Sequence, residues 1–461
     1  MSRAPGASSP VTESSIDDPN QVNPHYLNHV VAVSATHDVE VTEDIVTGNG
    51  IKLLAKGARI DPAMRDRLLE HKLRKPLEDC VQVVDGLVPG SFRPVAEELL
   101  AAHPLVAALC ACGENALPIA QSLTRLKLSM PVQSLLTVYS QYQGDRLKHS
   151  VGVAMLAMAL GRRLVPGDID RHRVLALAGL VHDVGELYID PKHLQRGTRL
   201  QPEQWRHIVS HPLIGDRVLR GMEGAGPAVA QAVLLHHERL DGFGYPRAVA
   251  GSALTLDGQI LGAAEWLMAL IESGLTPLAR ASVATRLMPG EFSDELVQTI
   301  AAAAAQSEEL LAAWTTPTPL EEAVPRVVRI GATMRRFVLT RPWIDERIAQ
   351  ARGEFRRHLA AGLGRMQRLH TAFSSTGLDA ADTEVLLRQL AALHDPQLHL
   401  EVITIVHEIE WRLRSLERES LLRSGLLAPA EDAVMRELVG RLKGEISPTP
   451  APVPDQTPTE A

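Results

Sequence analysis

One stretch constrains this chain more than any other: Leu175-Ala-Leu-Ala-Gly-Leu-Val-His-Asp-Val184. An apolar run of this kind reads as a buried helix, and it ends on His182 and Asp183. A carboxylate beside an imidazole at the end of a buried helix is costly unless a cation or hydrogen bonds compensate it. The fold must therefore bring compensating groups to that point.

Candidates lie on both sides. Five of the 18 histidines stand in tight local contexts: His149, His182, His211, His236 and His237. His149 opens a helical run through Leu164, with Asp145 one turn before it on the same face. His211 follows a helical segment, Pro202 to Val209, and precedes Pro212, while His236-His237-Glu238 closes the apolar run Ala228 to Leu235. Ligands at element ends can converge without breaking a core. A single helix histidine is usually a core or surface residue, so only the combination carries weight. Imidazole with carboxylate suits Fe, Mn or Zn. Cys80, Cys110 and Cys112 lack the paired spacing of a disulfide framework or a thiolate site.

The 461 residues exceed what one core usually serves, and aromatics at 3% with abundant Leu and Ala lean towards helix. Residues 1–28 are Ser/Pro/Asp-rich and predicted disordered. Residues 29–95 predict a small α+β accessory domain, with short strands in Val30–Val33, Asp44–Val46, Gly50–Leu54 and Val81–Val84 and a helix from Pro62 to Leu73. A helical connector over 96–130, a central domain over 131–315, and a C-terminal helical bundle or hairpin over 316–445 follow. The Pro/Thr-rich tail 446–461 cannot bury enough apolar surface to order itself. The expected class is mainly α. A net charge of -8 and a pI near 6.1 leave no positive field for long nucleic acid. With no signal peptide and no apolar run of spanning length, the expected location is the cytoplasm, away from the membrane.

Together, His149, His182-Asp183, His211-Pro212, His236-His237-Glu238 and Asp241-Gly-Phe-Gly-Tyr-Pro246 resemble the HD-GYP family of HD-domain phosphohydrolases in order and spacing. The resemblance covers roughly Asp145 to Ala269 and implies an all-helical HD-type domain. It implies two divalent ions, Fe or Mn: one held by His149, His182 and Asp183, the other by Asp183, His211, His236 and His237. Glu265, standing where the family has Asp, would complete the first site, and Asp145 occupies the place of a third-metal ligand in some members. His182 and Asp183 would be catalytic, with a metal-bridging hydroxide attacking the phosphodiester of cyclic di-GMP. The loop residues Gly244 and Tyr245 would border the substrate, with Arg239 and Arg196 as phosphate contacts.

Glu186 departs from the family, which usually has a lysine there facing the phosphate or the metal-bound water. An anion in that place predicts slow turnover, or a degenerate receptor or scaffold without hydrolysis, and it predicts that Glu186→Lys raises turnover. Hydrolysis of ordinary nucleotides, as in other HD proteins, is disfavoured by the Gly-Tyr-Pro loop. The amphipathic C-terminal helices suggest a homodimer, and a signalling protein partner accompanies either reading.

Overall fold

The structure is a computed structural model describing residues 18, 20–111, 116–142, 144–195, 200–274, 276–287, 290–307, 309–310, 312, 320–379 and 383–446. The expected tail from residue 447, Arg196 and Cys112 lie outside the described residues, as do residues 1–17 and 19 of the expected disordered N-terminus. The chain divides into two compact units: residues 1–199 with 203–311, and residues 312–461 with 200–202.

The first unit opens on helix α1 (Pro24–Val33), which takes in part of the stretch predicted disordered and the Val30–Val33 segment predicted as strand. Local capping decides the outcome. The Asn23 side chain accepts from the backbone N–H groups of His25 and Tyr26, Pro24 fits the first turn, and Tyr26, Leu27, Val30 and Val33 make one buried stripe. The other predicted strands form, and with an unpredicted strand over Val39–Val41 they make two antiparallel ribbons. β1 (Val39–Val41) pairs with β4 (Val81–Val83), Val39 opposite Val83, and β2 (Ile45–Val46) pairs with β3 (Lys52–Leu54). Helix α2 (Pro62–Leu69), capped by Asp61, lies between β3 and β4 in the chain.

Two-stranded ribbons are too small to bury their own faces. Their apolar side chains instead join one continuous core running from Val22 to Ala304. The α+β segment is thus a lobe on the helical core, without a core of its own. It is tied on by the Val83 and Leu87 N–H groups, which donate to Ser134 Oγ (3.0 Å) and Thr137 Oγ1 (2.8 Å) on helix α3 (Met130–Tyr142).

Helix α4 (Arg146–Leu164) is buried on every side from Val151 to Leu160, which makes it the central element. Against it pack α5 (Ile169–Val181), capped by Asp168, and α8 (Leu256–Ser273), which starts at the Thr255 cap and stops at left-handed Gly274. Helices α6 (His211–Gly221) and α7 (Gly226–Leu235) pair with each other, and α7 also packs on α5 and α8. Among the described residues no helix is long and apolar enough to cross a membrane.

The second unit is a bundle of four long helices, α9 (Val324–Gln350), α10 (Gly353–Ser375), α11 (Pro396–Ser424) and α12 (Pro429–Lys443). Its buried side chains include Phe355, Leu359 and Met435.

A close backbone approach joins the element ends in the first unit. A Cβ placed on Gly185 would lie 2.1 Å from the His211 carbonyl oxygen and 2.9 Å from the Gly215 nitrogen, so the turn after Asp183 rests directly on the start of α6. Gly185→Ala should cost about 1–3 kcal/mol, the usual penalty of overpacking. A lower midpoint in denaturant unfolding would show it, and an unchanged midpoint would refute the tight approach.

Candidate metal centre

His182 and Asp183 follow the last turn of α5, His236 and His237 follow α7, His211 opens α6, and His149 lies in the first turn of α4. Glu265 projects from α8. Six of these side chains meet in two groups that share Asp183: His149, His182 and Asp183 on one side, and Asp183, His211, His236 and His237 on the other, with donor atoms of each group within 4.8 Å of one another.

Asp183 faces both groups. Its Oδ2 lies 3.2 Å from His182 Nε2, and its Oδ1 lies 3.2 Å from His211 Nε2 and 3.6 Å from His236 Nε2. Glu265 Oε2 reaches His149 Nε2 at 3.0 Å and His182 Nε2 at 3.3 Å, so the longer side chain still arrives at the first group.

Three imidazoles are oriented by the same local device. The Nδ1–H of His182, His211 and His236 donates to the carbonyl three residues earlier: Gly179 (2.9 Å), Ile208 (2.7 Å) and Val233 (2.6 Å). A carbonyl can only accept, so a proton sits on Nδ1 and Nε2 is the nitrogen that faces the centre. His149 differs, for its Nδ1 meets Glu272 Oε1 at 2.7 Å, a carboxylate two helical turns beyond Glu265 on α8.

The electrostatics are those of a site short of positive charge. Burial opposes protonation of His149, but Glu265 and then Glu272 override it and hold the imidazole up at about 10. His182 is likewise raised against burial by Asp183 and Glu265. Burial would raise Asp183 and Glu265, yet the neighbouring histidines keep both well below the usual carboxylate range. His236 and His237 are pushed down by burial, which keeps both imidazoles neutral. A buried cluster of carboxylate oxygens and inward-facing imidazole nitrogens, with no thiolate, fits hard-to-borderline divalent cations.

Beside this cluster, Arg146 Nη1 lies 2.7 Å from Glu186 Oε2, 3.2 Å from Tyr139 Oη and 3.9 Å from Asp183 Oδ2. Burial, reinforced by the Asp183 charge, pushes the Glu186 carboxyl up to about 7 against the pull of Arg146. Glu186 is therefore no lone anion facing a substrate. The sequence-based expectation for Glu186→Lys reverses, since an ammonium there would oppose the guanidinium.

The Gly-Tyr-Pro loop folds back on the histidines. A Cβ on Gly244 would lie 2.4 Å from Glu238 Cα, and the Tyr245 ring stacks on His237 at 4.5 Å, with Trp205 edge-on to it at 5.3 Å. Buried Glu238 accepts from the Arg247 and Val249 N–H groups (2.7 and 2.9 Å), so it holds the loop. Tyr245-Pro246 is a cis peptide bond.

Two further residues named from the sequence stand around the cluster. Arg239 donates to the His236 and Glu238 carbonyls and lies over the Phe292 ring. Asp145 lines a cleft of about 590 Å³ with Arg146, His149 and Glu272 and belongs to neither of the two groups. Sequence reasoning missed Arg146 and Glu272. Both had a signal: Arg146 is three residues before His149, and Glu272 is seven after Glu265, each on the ligand's own helix face.

Residues 132–291 match the family model described as an HD domain. That segment is an HD domain, and its motifs place it with the HD-GYP proteins. A 3'3'-cGAMP-specific phosphodiesterase of Vibrio cholerae is 30% identical over 148 residues, 32% of this chain and 33% of that protein. A cyclic di-GMP phosphodiesterase of Pseudomonas aeruginosa is 35% identical over 109 residues, 23% of this chain and 26% of its own length. The response regulator RpfG of Xanthomonas campestris, also named a cyclic di-GMP phosphodiesterase, is 28% identical over 130 residues, 28% of this chain and 32% of that one. The matches thus span about a quarter to a third of these relatives. An HDG"Y"P protein of Bdellovibrio bacteriovorus superposes with a TM-score of 0.31 at 19% identity, covering 58% of this chain and 95% of that one.

Two outcomes are expected of the centre. His182→Ala and Asp183→Ala each abolish metal retention by elemental analysis while the helical circular dichroism persists; retained metal would dissolve the ligand assignment. Because His149 is protonated below about 10 in the metal-free protein, metal uptake near neutral pH must expel protons, and affinity must rise with pH. Calorimetry in two buffers of different ionisation enthalpy reads that release, and identical heats would contradict it.

Proposed function

We propose that this protein is a metal-dependent phosphodiesterase that hydrolyses a cyclic dinucleotide, cyclic di-GMP first among them, in second-messenger signalling. The observation that carries the proposal is Asp183, whose two oxygens face two different sets of imidazoles. The names of the relatives support the substrate class, and the Gly-Tyr-Pro loop supports it over ordinary nucleotides.

His149, His182, Asp183 and Glu265 would hold one divalent ion, and Asp183, His211, His236 and His237 a second; the donor chemistry suits Fe, Mn or Zn, and the family resemblance favours Fe or Mn. Such a pair supplies Lewis acidity towards phosphoryl oxygens and the acidification of water. The chain's own part is positional. Pinned Nδ1–H groups keep three Nε2 atoms facing inward, and the stacked His237–Tyr245 pair with Trp205 offers an aromatic wall beside the second group. His182 and Asp183 remain the residues assigned to catalysis, Tyr245 and Gly244 to the substrate wall.

A non-hydrolysing receptor is the second reading, and Glu186 is the observation that favours it. The Arg146 pairing weakens that case, because the local charge beside Asp183 is balanced. A cytoplasmic location, a signalling partner and a homodimer through the second unit belong with either reading. Exposed Val338 and Leu339 on α9 support the dimer, and light scattering tests it.

Purified protein given Mn or Fe(II) should linearise cyclic di-GMP, and elemental analysis should find about two metals per chain. Bound metal without turnover on cyclic di-GMP or 3'3'-cGAMP would establish the receptor. Absence of both would leave a scaffold.

A further inference from the structure

The centre has a fixed cation at its edge that the ligand set does not use. Arg146 begins α4 one turn before His149, and its side chain is only 9% exposed. Three groups hold it. Glu186 Oε2 lies 2.7 Å from Nη1, Tyr139 Oη lies 3.2 Å away, and the guanidinium carbon stands 5.7 and 6.0 Å from the Tyr139 and Tyr142 ring centres.

Restraint of this kind removes most of the conformational freedom of a long side chain, which is what a preorganised contact requires. Two further facts fix where the charge is directed. Nη1 is 3.9 Å from Asp183 Oδ2, the carboxylate shared by the two ligand groups. Arg146 also lines the cleft of about 590 Å³ whose wall includes His149 and Glu272. The guanidinium thus stands within 3.9 Å of the carboxylate shared by the two groups, and its residue also lines the adjoining cleft.

We infer that Arg146 is a substrate-contacting residue, its guanidinium donating to a non-bridging oxygen of the phosphodiester in the cleft, with Glu186 as the positioning residue that aims it. This rests on the phosphodiesterase reading. Glu186, which from sequence alone looks like damage to the site, is then half of a relocated cation: the charge arrives from α4 and the acid tethers it. A guanidinium suits the task because its planar fork can hold Glu186 through one edge and offer N–H groups to a phosphoryl oxygen through another.

The test uses the full chain loaded with Mn and compares wild type with Arg146→Ala, Arg146→Lys, Glu186→Gln and Glu186→Lys. Metal content and helicity should be unchanged in all five proteins. Arg146→Ala should bind inorganic phosphate at least about 10-fold more weakly by calorimetry, as expected on losing a charge-assisted hydrogen bond. On cyclic di-GMP its kcat should fall about 100- to 1000-fold. Arg146→Lys should recover part of both losses, Glu186→Gln should fall between it and wild type, and Glu186→Lys should lower turnover.

Phosphate affinity and kcat unchanged in Arg146→Ala would overturn the assignment. Metal lost together with turnover in Arg146→Ala would also overturn it, by reducing Arg146 to a support for the ligand cradle. If wild type turns over neither cyclic di-GMP nor 3'3'-cGAMP, the phosphodiesterase reading fails on its own, and the phosphate titration still decides whether Arg146 grips a phosphoryl group.

Discussion

The Asp183 carboxylate is the interaction on which the rest of the first unit turns. It is almost fully buried, it faces imidazoles on both sides, and Arg146 approaches it from a third. An anion placed there obliges α4, α5, α6 and α7 to deliver their ends to one point. Gly185 lets the α5 end rest on the α6 start with no side chain between them. Centre and helix packing are therefore one constraint: moving an element end displaces a ligand, and removing the charge leaves the converging imidazoles without a common partner.

The N-terminal lobe contributes to that convergence at a distance. Tyr26 of α1 stacks on Tyr188 at 4.9 Å, and the Asn23 side chain donates to the Tyr188 carbonyl. Tyr188 closes the short 3-10 turn that begins at Val184, next to Asp183. Residues from the stretch expected to be disordered are in fact packed against the turn next to Asp183. The lobe's small ribbons have little apolar face of their own, which explains why they share the helical core.

The clustering of the histidines could be anticipated because they stand at the ends of helical segments, where polarity is conspicuous, and because their order and spacing resemble those of a known family. Glu265 is reached through the resemblance alone, as the residue standing where the family has Asp. Other features depend on contacts between distant segments. The pairing of Glu186 with Arg146 spans 40 residues of chain and changes the meaning of both. Arg239 looks like a phosphate contact by its position beside the loop, and its hydrogen bonds to backbone carbonyls and its place over the Phe292 ring depend on distant segments. The Val30–Val33 cluster has strand-like composition, and the capping by Asn23 with Pro24 makes it helix. Local propensity is overridden where a cap or a long-range partner acts.

The histidines are not equivalent as donors. His182, His211 and His236 lean on peptide carbonyls, which are neutral acceptors, whereas His149 leans on the Glu272 carboxylate. An anion behind an imidazole gives the ring some imidazolate character and makes its far nitrogen the more electron-rich donor. The two halves of the centre would then differ in electronic softness, and so in hold on their ions and in ease of oxidation. A pair of chemically identical ions would become inequivalent through a glutamate that touches neither.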